Sequence, residues 1–277
     1  MKLVIQIPCY NEESSLPVTL KALPKKIDGI DEIQVLIIDD GSKDRTVEVA
    51  KELGVENFVI MPHNSGLARA FVAGINKALA LDADIIVNTD ADNQYCADDI
   101  ENLVKPIISG EADIVIGSRP VSEIEHFSPL KKLLQKLGSS VMRLISSTDV
   151  EDAPSGFRAF SRNSAIQLNV FDNYTYTLET IIQARAKGLQ LKCVPIAVNP
   201  DLRESKLVKN MFDYIRRSMF TMIRMFIIYR PFRFFAILAG MFLGVGTLIG
   251  LRFLWFYLFE SGAGHIQSLI LSAILII

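Results

Sequence analysis

The chain has 277 residues, of which 50% are hydrophobic and 22% are charged, and its mean hydropathy is +0.29. This composition excludes a disordered chain, which would be poorer in apolar residues, and a wholly membrane-embedded chain, which would carry fewer charges. The formal net charge of −2 argues against a nucleic-acid partner, because nucleic-acid-binding proteins usually carry a basic surface.

Short apolar runs alternate with amphipathic segments over the first half of the chain. The alternation predicts an α/β domain with a mainly parallel sheet and helices on both faces, in which ligands bind beyond the carboxyl ends of the strands. We expect Ser14 or Ser15 to cap the first helix and Ser42 or Asp44 to cap the second. The predicted strands are residues 2–8, 32–39, 57–61, 84–90 and 113–118, and the predicted helices are 14–23, 44–53, 66–81, 97–108 and 129–146.

Two of the predicted strands end in paired carboxylates. Asp39 and Asp40 end the second strand, and Asp90 and Asp92 end the fourth. Buried acids are costly unless a cation or hydrogen-bond donors neutralise them. Carboxylate oxygens suit Mg²⁺ or Mn²⁺, ions that often bridge to a substrate diphosphate. A capped turn would explain one such pair, but two pairs at strand ends favour a site for a metal and a nucleotide.

Six short motifs follow one another over about residues 2–230: IPCYNEE (7–13), IDDGSKDRT (38–46), Asn64-x-Gly66, TDADNQ (89–94), GSR (117–119) and SGFR (155–158). In this order they resemble glycosyltransferase family 2, and within it the polyprenyl-phosphate hexose synthases. The resemblance implies a GT-A fold, which is Rossmann-like, and a Mg²⁺ or Mn²⁺ cofactor. It also implies transfer of a hexose, with inversion, from a UDP- or GDP-sugar to dolichyl or undecaprenyl phosphate.

The resemblance also implies roles for residues of this chain. The metal would be held by Asp90, Asp92 and Gln94, and the groups that act in catalysis would be Asp92, Arg119 and Arg158. The residues expected to line the nucleotide are Pro8, Cys9, Tyr10, Glu12, Asp39, Asp40, Asp90 and Ala91. The residues expected to contact the acceptor phosphate are Arg119, Ser155, Arg158 and Arg203.

Two further acceptor contacts are predicted from the pattern of residues 129–146. This segment has an apolar stripe edged with lysines, which suits either a lipid tail and its phosphate or plain core packing. Lys136 and Ser140 lie one turn apart on it, so we count both as candidates. Two residues depart from the family pattern, Cys9 where Thr or Ala is commoner and Asn93 where Gly or Leu is usual, which affects only the substrate assignment.

The C-terminal part has a different composition. Residues 203–233 carry eight basic and two acidic residues, and the eighteen residues 234–251 carry no charge. At 1.5 Å per residue, the segment 234–259 is long enough to cross a hydrocarbon layer of about 30 Å. We therefore expect a catalytic domain over 1–205, an amphipathic helix over 206–232 and a transmembrane region over 233–277. The amphipathic helix would lie either in the membrane interface or docked on the catalytic domain.

The expected location is the cell membrane, or the endoplasmic reticulum membrane in a eukaryote. The basic segment before the span places the catalytic domain in the cytoplasm, and residues 1–10 do not predict a cleavable signal. The twelve residues 266–277 are too few to span, so we expect an incomplete second span. Two Gly-x-x-x-Gly pairs, at Gly240 and Gly246, suggest close helix contacts and a possible homo-oligomer.

Two other functions are consistent with the sequence. A hydroxyl acceptor on a glycan or diacylglycerol would need a base, for which Glu179 and Asp152 are the candidates. A catalytically inactive subunit that binds nucleotide sugar would need neither a base nor the arginine motifs.

Overall fold

The computed structural model describes residues 1–120, 139–140, 150–170, 176–200, 216, 219–220, 223–224, 226–228, 230–259 and 265–277. The chain divides into two compact units, Met1–Met222 and Ile223–Ile277. The predicted helix over 129–146 and the predicted interfacial helix over 206–232 lie mostly outside the described residues. Both stay predictions, as do the domain boundaries that depend on them.

The first unit contains a seven-stranded sheet with the order β3-β2-β1-β4-β6-β5-β7. Every neighbouring pair is parallel except the two pairs that include β6. The predicted mainly parallel sheet is therefore confirmed. The strands are β1 (Lys2–Cys9), β2 (Glu32–Asp39), β3 (Asn57–Ile60), β4 (Ile85–Asn88), β5 (Ile114–Ser118), β6 (Arg158–Ser161) and β7 (Leu191–Pro195).

Strand β6, which the sequence pattern did not predict, decides where the candidate site lies. It pairs antiparallel with both β4 and β5, so that its first residue, Arg158, stands opposite Asn88 near the carboxyl end of β4 and opposite Ile116 of β5. Residues just before an antiparallel strand lie at the edge where its parallel neighbours end. The segment 152–157 therefore reaches the same edge as the carboxylates that follow β2 and β4.

The helices of this unit pack on both faces of the sheet, and their caps differ partly from the prediction. Ser15 is the N-cap residue of the first helix but makes no side-chain cap bond; its hydroxyl donates instead to the Glu12 carboxylate at 2.6 Å. The N-cap residue of the second helix is Arg45, not Ser42 or Asp44, and it makes no side-chain cap bond, although the Asp44 carboxylate accepts from the amide of Thr46 at 3.0 Å. The helices are α1 (Leu16–Ala22), α2 (Thr46–Glu52), α3 (Leu67–Ala80), α4 (Ile100–Ile108), α5 (Arg162–Gln167) and α6 (Thr177–Ala186).

The second unit contains the helices α7 (Pro231–Phe259) and α8 (Ile266–Ile276). By length and composition α7 is a candidate membrane span, with a mean hydropathy of 2.2 over its best window, of which 6% is buried. Helix α8 packs on α7 at Gly246, whose carbonyl accepts from the Ser272 hydroxyl at 2.7 Å. A Cβ at Gly240 would meet nothing within 4 Å among the described residues. Of the two predicted glycine pairs, the one at Gly246 therefore makes the contact between these helices.

Candidate active site

The turn after β2 is held by its own carboxylates. Asp40 accepts from the backbone amides of Ser65 and Gly66 at 2.7 and 2.9 Å, and Asp39 accepts from the amide of Ser42 at 3.2 Å. Both side chains are buried. Because each carboxylate oxygen has a second lone pair, these bonds do not use up the acceptor capacity that a nucleotide contact would need.

Gly41 allows this turn to approach the loop before α3. Its φ is +73°, and a Cβ there would stand 2.6 Å from the carbonyl carbon of His63 and 2.8 Å from the amide nitrogen of Asn64. Both atoms belong to the backbone and cannot rotate away, so only glycine fits. The sequence motif at Asp40 thus joins the ends of β2 and β3 at one edge of the sheet.

The segment after β1 is bonded to the turn after β2. The amide of Asn11 donates to the Ser42 hydroxyl at 2.9 Å, and the Asn11 carboxamide accepts from the amide of Lys43 at 2.8 Å. The amide of Glu12 donates to the Thr46 hydroxyl at 2.8 Å. Tyr10 is 37% exposed, so its ring is accessible at this edge.

Pro8, Cys9 and Ala91 are all predicted to line the nucleotide, but they differ in burial. Pro8 is half-buried at the end of β1, whereas Cys9 and Ala91 are members of the hydrophobic core. Burial raises the pKa of the Cys9 thiol, and the nearby Glu12 and Asp39 carboxylates raise it further. The side chains of Cys9 and Ala91 therefore face the core, and their predicted contacts with the nucleotide stay predictions.

The turn after β4 carries Asp90, Asp92 and Gln94, all half-buried. Asp92 accepts from the amide of Gln94 at 3.2 Å. The intervening Asn93 has a φ of +58°, a left-handed conformation that asparagine tolerates better than most residues. Asparagine therefore suits the shape of this turn.

The chemistry of this turn fits a hard divalent cation. It offers two carboxylates and one carboxamide, all of them oxygen ligands, and the described residues contain no group of three or more His, Cys, Asp or Glu side chains that could enclose a metal. Mg²⁺ is usually bound by one or two carboxylates, with water and substrate phosphates completing its shell. A Cβ at Gly156 would stand 3.4 and 3.5 Å from the two oxygens of Asp90, so the glycine leaves space beside this carboxylate.

Arg119, which follows β5, is held at the same edge by Asp152. Its Nε and Nη2 donate to the two carboxylate oxygens at 2.6 and 3.0 Å, and its guanidinium carbon lies 6.0 Å from the centre of the Tyr95 ring. Burial lowers the pKa of Arg119, but Tyr95, Asp152 and Asp90 together raise it by more, so the guanidinium stays charged. Asp152 accepts from two of the five N–H donors of the guanidinium.

Arg158 does not stand where an acceptor phosphate could reach it. The side chain is fully buried and donates to the carbonyls of Ala153, Ser155 and Thr177 and to the Thr180 hydroxyl, all at 2.7 to 2.8 Å. Burial lowers its pKa to about 10. The expected phosphate contact is therefore corrected to a structural role, in which Arg158 joins the segment 153–155 to α6.

Ser155 is fully buried, and its hydroxyl oxygen has no hydrogen-bond partner among the described residues, so its predicted acceptor contact stays a prediction. Ser140 lies in a short described piece, 139–140, and is half-buried. Lys136 and Arg203 lie outside the described residues, so their predicted acceptor contacts stay predictions.

Sequence reasoning missed three side chains that hold this edge together. Tyr95 accepts from the amide of Gly156 at 3.1 Å, and Asn88 donates to the Gly156 carbonyl and the Tyr176 hydroxyl at 2.9 and 2.8 Å. The Tyr176 ring is stacked on that of Phe71, with 3.8 Å between the centroids. Tyr95 could have been suspected from its place directly after the TDADNQ motif, but no local pattern points to Asn88 or Tyr176.

Residues 4–168 match the model of Glycosyl transferase family 2. The chain belongs to this family. The UDP-N-acetylglucosamine–dolichyl-phosphate N-acetylglucosaminyltransferase of Methanococcus voltae is 33% identical over 211 residues, or 69% of this chain and 82% of that protein. The undecaprenyl-phosphate mannosyltransferase of Micrococcus luteus is 30% identical over 218 residues, or 75% of this chain and 88% of that protein.

The fold is shared with a solved structure of lower sequence identity. Glucosyl-3-phosphoglycerate synthase from Mycobacterium tuberculosis, crystallised with Mn²⁺, UDP and glucosyl-3-phosphoglycerate, superposes with a TM-score of 0.64 at 19% identity, over 82% of this chain and 79% of that chain. This similarity confirms the predicted GT-A type of α/β fold. The match to the family model by itself identifies the protein as a glycosyltransferase of family 2.

Proposed function

We propose that this glycosyltransferase moves a hexose, with inversion, from a nucleoside-diphosphate sugar to a polyprenyl phosphate. The observation that carries the proposal is that Arg119 and Asp90 lie at one edge of the sheet. The Arg119 guanidinium carbon is 6.0 Å from the centre of the Tyr95 ring, the Tyr95 hydroxyl accepts from the amide of Gly156, and a Cβ at Gly156 would stand 3.4 Å from the Asp90 carboxylate. A site with acids for a metal-bound diphosphate and a charged arginine for a second anion suits this reaction. The two named relatives, a dolichyl-phosphate and an undecaprenyl-phosphate transferase, support the same acceptor class.

The donor is assigned to the ends of β1, β2 and β4. Asp90, Asp92 and Gln94 would hold Mg²⁺ or Mn²⁺, which when bound offsets the negative charge on the departing diphosphate. The accessible Tyr10 ring would contact the nucleoside, and the free lone pairs of Asp39 and Asp40 would accept from the base or the ribose. The turns after β1 and β2 share several hydrogen bonds, so these groups are positioned before the donor binds.

The acceptor is assigned to Arg119. A phosphate is already an anion at neutral pH, so it needs positioning and charge compensation more than a strong general base. Among the described residues, Asp152 accepts from two of the five N–H donors of the guanidinium, and an arginine fork matches phosphate geometry. Glu179, which a hydroxyl acceptor would need as a base, is fully buried, and Asp152 is bonded to Arg119.

The membrane assignment is part of the same proposal. Helix α7 is a candidate span, and the net positive charge of residues 203–233 would place the catalytic unit on the cytoplasmic side. A lipid acceptor would then be presented at the membrane surface beside the catalytic unit. Association of copies through the helices stays a prediction.

The test uses the purified full-length protein in detergent, with UDP- and GDP-hexoses as donors and a short polyprenyl phosphate or the matching polyprenol as acceptor. We expect transfer to the phosphate in the presence of Mn²⁺ and its loss in EDTA. Asp92→Asn should lower the rate at least about a hundredfold, since one charge-stabilising group is typically worth that much. Asp98→Asn is the matched control, because Asp98 is an exposed acid six positions along the chain.

Three results would contradict the proposal. Full activity of Asp92→Asn, or of the wild type in EDTA, would exclude a catalytic role for the metal. Transfer to the polyprenol but not to its phosphate would favour the hydroxyl acceptor. Binding of nucleotide without transfer to any acceptor would favour an inactive subunit.

A further inference from the structure

Gly156 is a glycine for reasons of space. Its φ is not in the left-handed region, unlike that of Gly41 and five other glycines of the described residues, so no left-handed backbone requires glycine at this position. A Cβ at this position would stand 3.4 and 3.5 Å from the two oxygens of Asp90, and 3.0 Å from the Tyr176 hydroxyl. A methyl group here would therefore cover one side of a carboxylate that follows β4.

Three buried side chains hold the peptide groups of Gly156. Its amide donates to the Tyr95 hydroxyl at 3.1 Å, and its carbonyl accepts from Asn88 at 2.9 Å and from the Tyr176 hydroxyl at 3.1 Å. Arg158 binds the carbonyl of the preceding residue, Ser155, at 2.8 Å. Both tyrosine rings are stacked on phenylalanines, Tyr95 on Phe157 and Tyr176 on Phe71. The backbone beside Asp90 is thus fixed from several directions.

We propose that Gly156 is a positioning residue of the metal site, whose fixed backbone lies beside the Asp90 carboxylate and whose missing side chain keeps a methyl group from crowding the two carboxylate oxygens. The inference rests on the proposed function, since it takes Asp90 as a metal ligand. A carboxylate binds a hard cation through lone pairs that must not be shielded by an apolar group. Groups that orient such a ligand from outside typically account for ten- to hundredfold in metal affinity.

The test compares Gly156→Ala with a glycine substitution that causes similar crowding elsewhere. A Cβ at Gly117, in β5, would stand 3.0 Å from the Ile196 side chain and 3.2 Å from that of Phe157, but no atom of Asp90 is among the three atoms nearest to it. Both substitutions should therefore lower the melting temperature of the metal-free protein through overpacking. Mn²⁺ is then titrated, with UDP or GDP, into each full-length protein in detergent, and its affinity is read from the rise in melting temperature.

We expect Gly156→Ala to weaken Mn²⁺ binding about tenfold or more, and Gly117→Ala to leave it within about twofold of the wild type. Tyr176→Phe removes the hydroxyl that the new methyl group would crowd. The double variant Gly156→Ala/Tyr176→Phe should therefore be relieved of this crowding while its Mn²⁺ binding stays weak, because the contact with Asp90 remains.

Three outcomes would overturn the inference. One is wild-type Mn²⁺ affinity in Gly156→Ala, and a second is full recovery of that affinity in the double variant, which would place the effect at Tyr176. The third is absence of Mn²⁺ binding by the wild type itself, which would also overturn the metal in the proposed function. If Gly156→Ala does not fold, the same comparison is made between the double variant and Tyr176→Phe alone, with the same expected tenfold difference.

Discussion

Arg119 and Asp152 form a bidentate ion pair, with Nε–Oδ2 and Nη2–Oδ1 distances of 2.6 and 3.0 Å. Their side chains are 12% and 2% exposed, so both charges are almost completely removed from water. The pair joins the end of β5 to the segment before β6, which also contains Gly156. It fixes the direction in which Arg119 presents its remaining donors.

Asp152→Asn should destabilise the protein, because it leaves the Arg119 charge buried without a carboxylate partner. Breaking one side of a buried pair typically costs about 3–5 kcal/mol, which thermal unfolding of the full-length protein in detergent would detect. The double variant Arg119→Gln/Asp152→Asn should lose clearly less free energy of unfolding than the two single variants lose when their losses are added. Additive losses would show that the two side chains do not interact.

Arg158→Lys should lower the melting temperature and leave the KM for polyprenyl phosphate unchanged in the protein that remains folded. Lysine keeps the charge, but its three donors cannot reproduce the four bonds that the planar guanidinium makes to the segment 153–155 and α6. Arg119→Lys is the comparison, since the proposed phosphate contact requires the fork at that position. A raised KM in Arg158→Lys and an unchanged one in Arg119→Lys would reverse these assignments.

The stability of the wild type should fall between about pH 10 and pH 12 partly because of Tyr95. Burial raises the pKa of Tyr95 to about 12, whereas an unfolded tyrosine titrates near 10. In this range the unfolded chain releases a proton that the folded chain retains, so the free energy of unfolding decreases as the pH rises, by up to about 3 kcal/mol. Melting temperatures of the wild type and Tyr95→Phe, measured from pH 8 upward, should converge as the pH rises; parallel curves would contradict the prediction.

Gly246→Leu should disturb the packing of α7 and α8. Its Cβ would stand 2.8 Å from the Ile276 side chain and 3.2 Å from the carbonyl of Ser272, whereas a Cβ at Gly240 meets nothing within 4 Å. Overpacking of this kind typically costs about 1–3 kcal/mol. The single tryptophan of the chain, Trp255, lies in α7, so its fluorescence should report an earlier transition in Gly246→Leu and no change in Gly240→Leu.

Much of the fold follows from local sequence patterns. The alternation of apolar and amphipathic segments predicts strands β1 to β5 and a mainly parallel sheet, because a strand buried on both faces requires an unbroken apolar run. The common position of the acidic turns after β2 and β4 is also predicted, because parallel strands bring their carboxyl ends to one edge of the sheet. Helix α7 follows from composition alone.

The remaining features depend on contacts between residues that are distant in the sequence. Strand β6 has four residues and begins with an arginine, so no periodicity marks it, and only its pairing with β4 and β5 makes it a strand. The same pairing buries Arg158, which by residue type looks like a phosphate ligand, and it brings Gly156 against Asp90. Local patterns determine which segments become strands and which strand ends are charged. The tertiary structure decides which of those charges remain accessible, because burial and hydrogen bonding depend on the neighbours that the fold supplies.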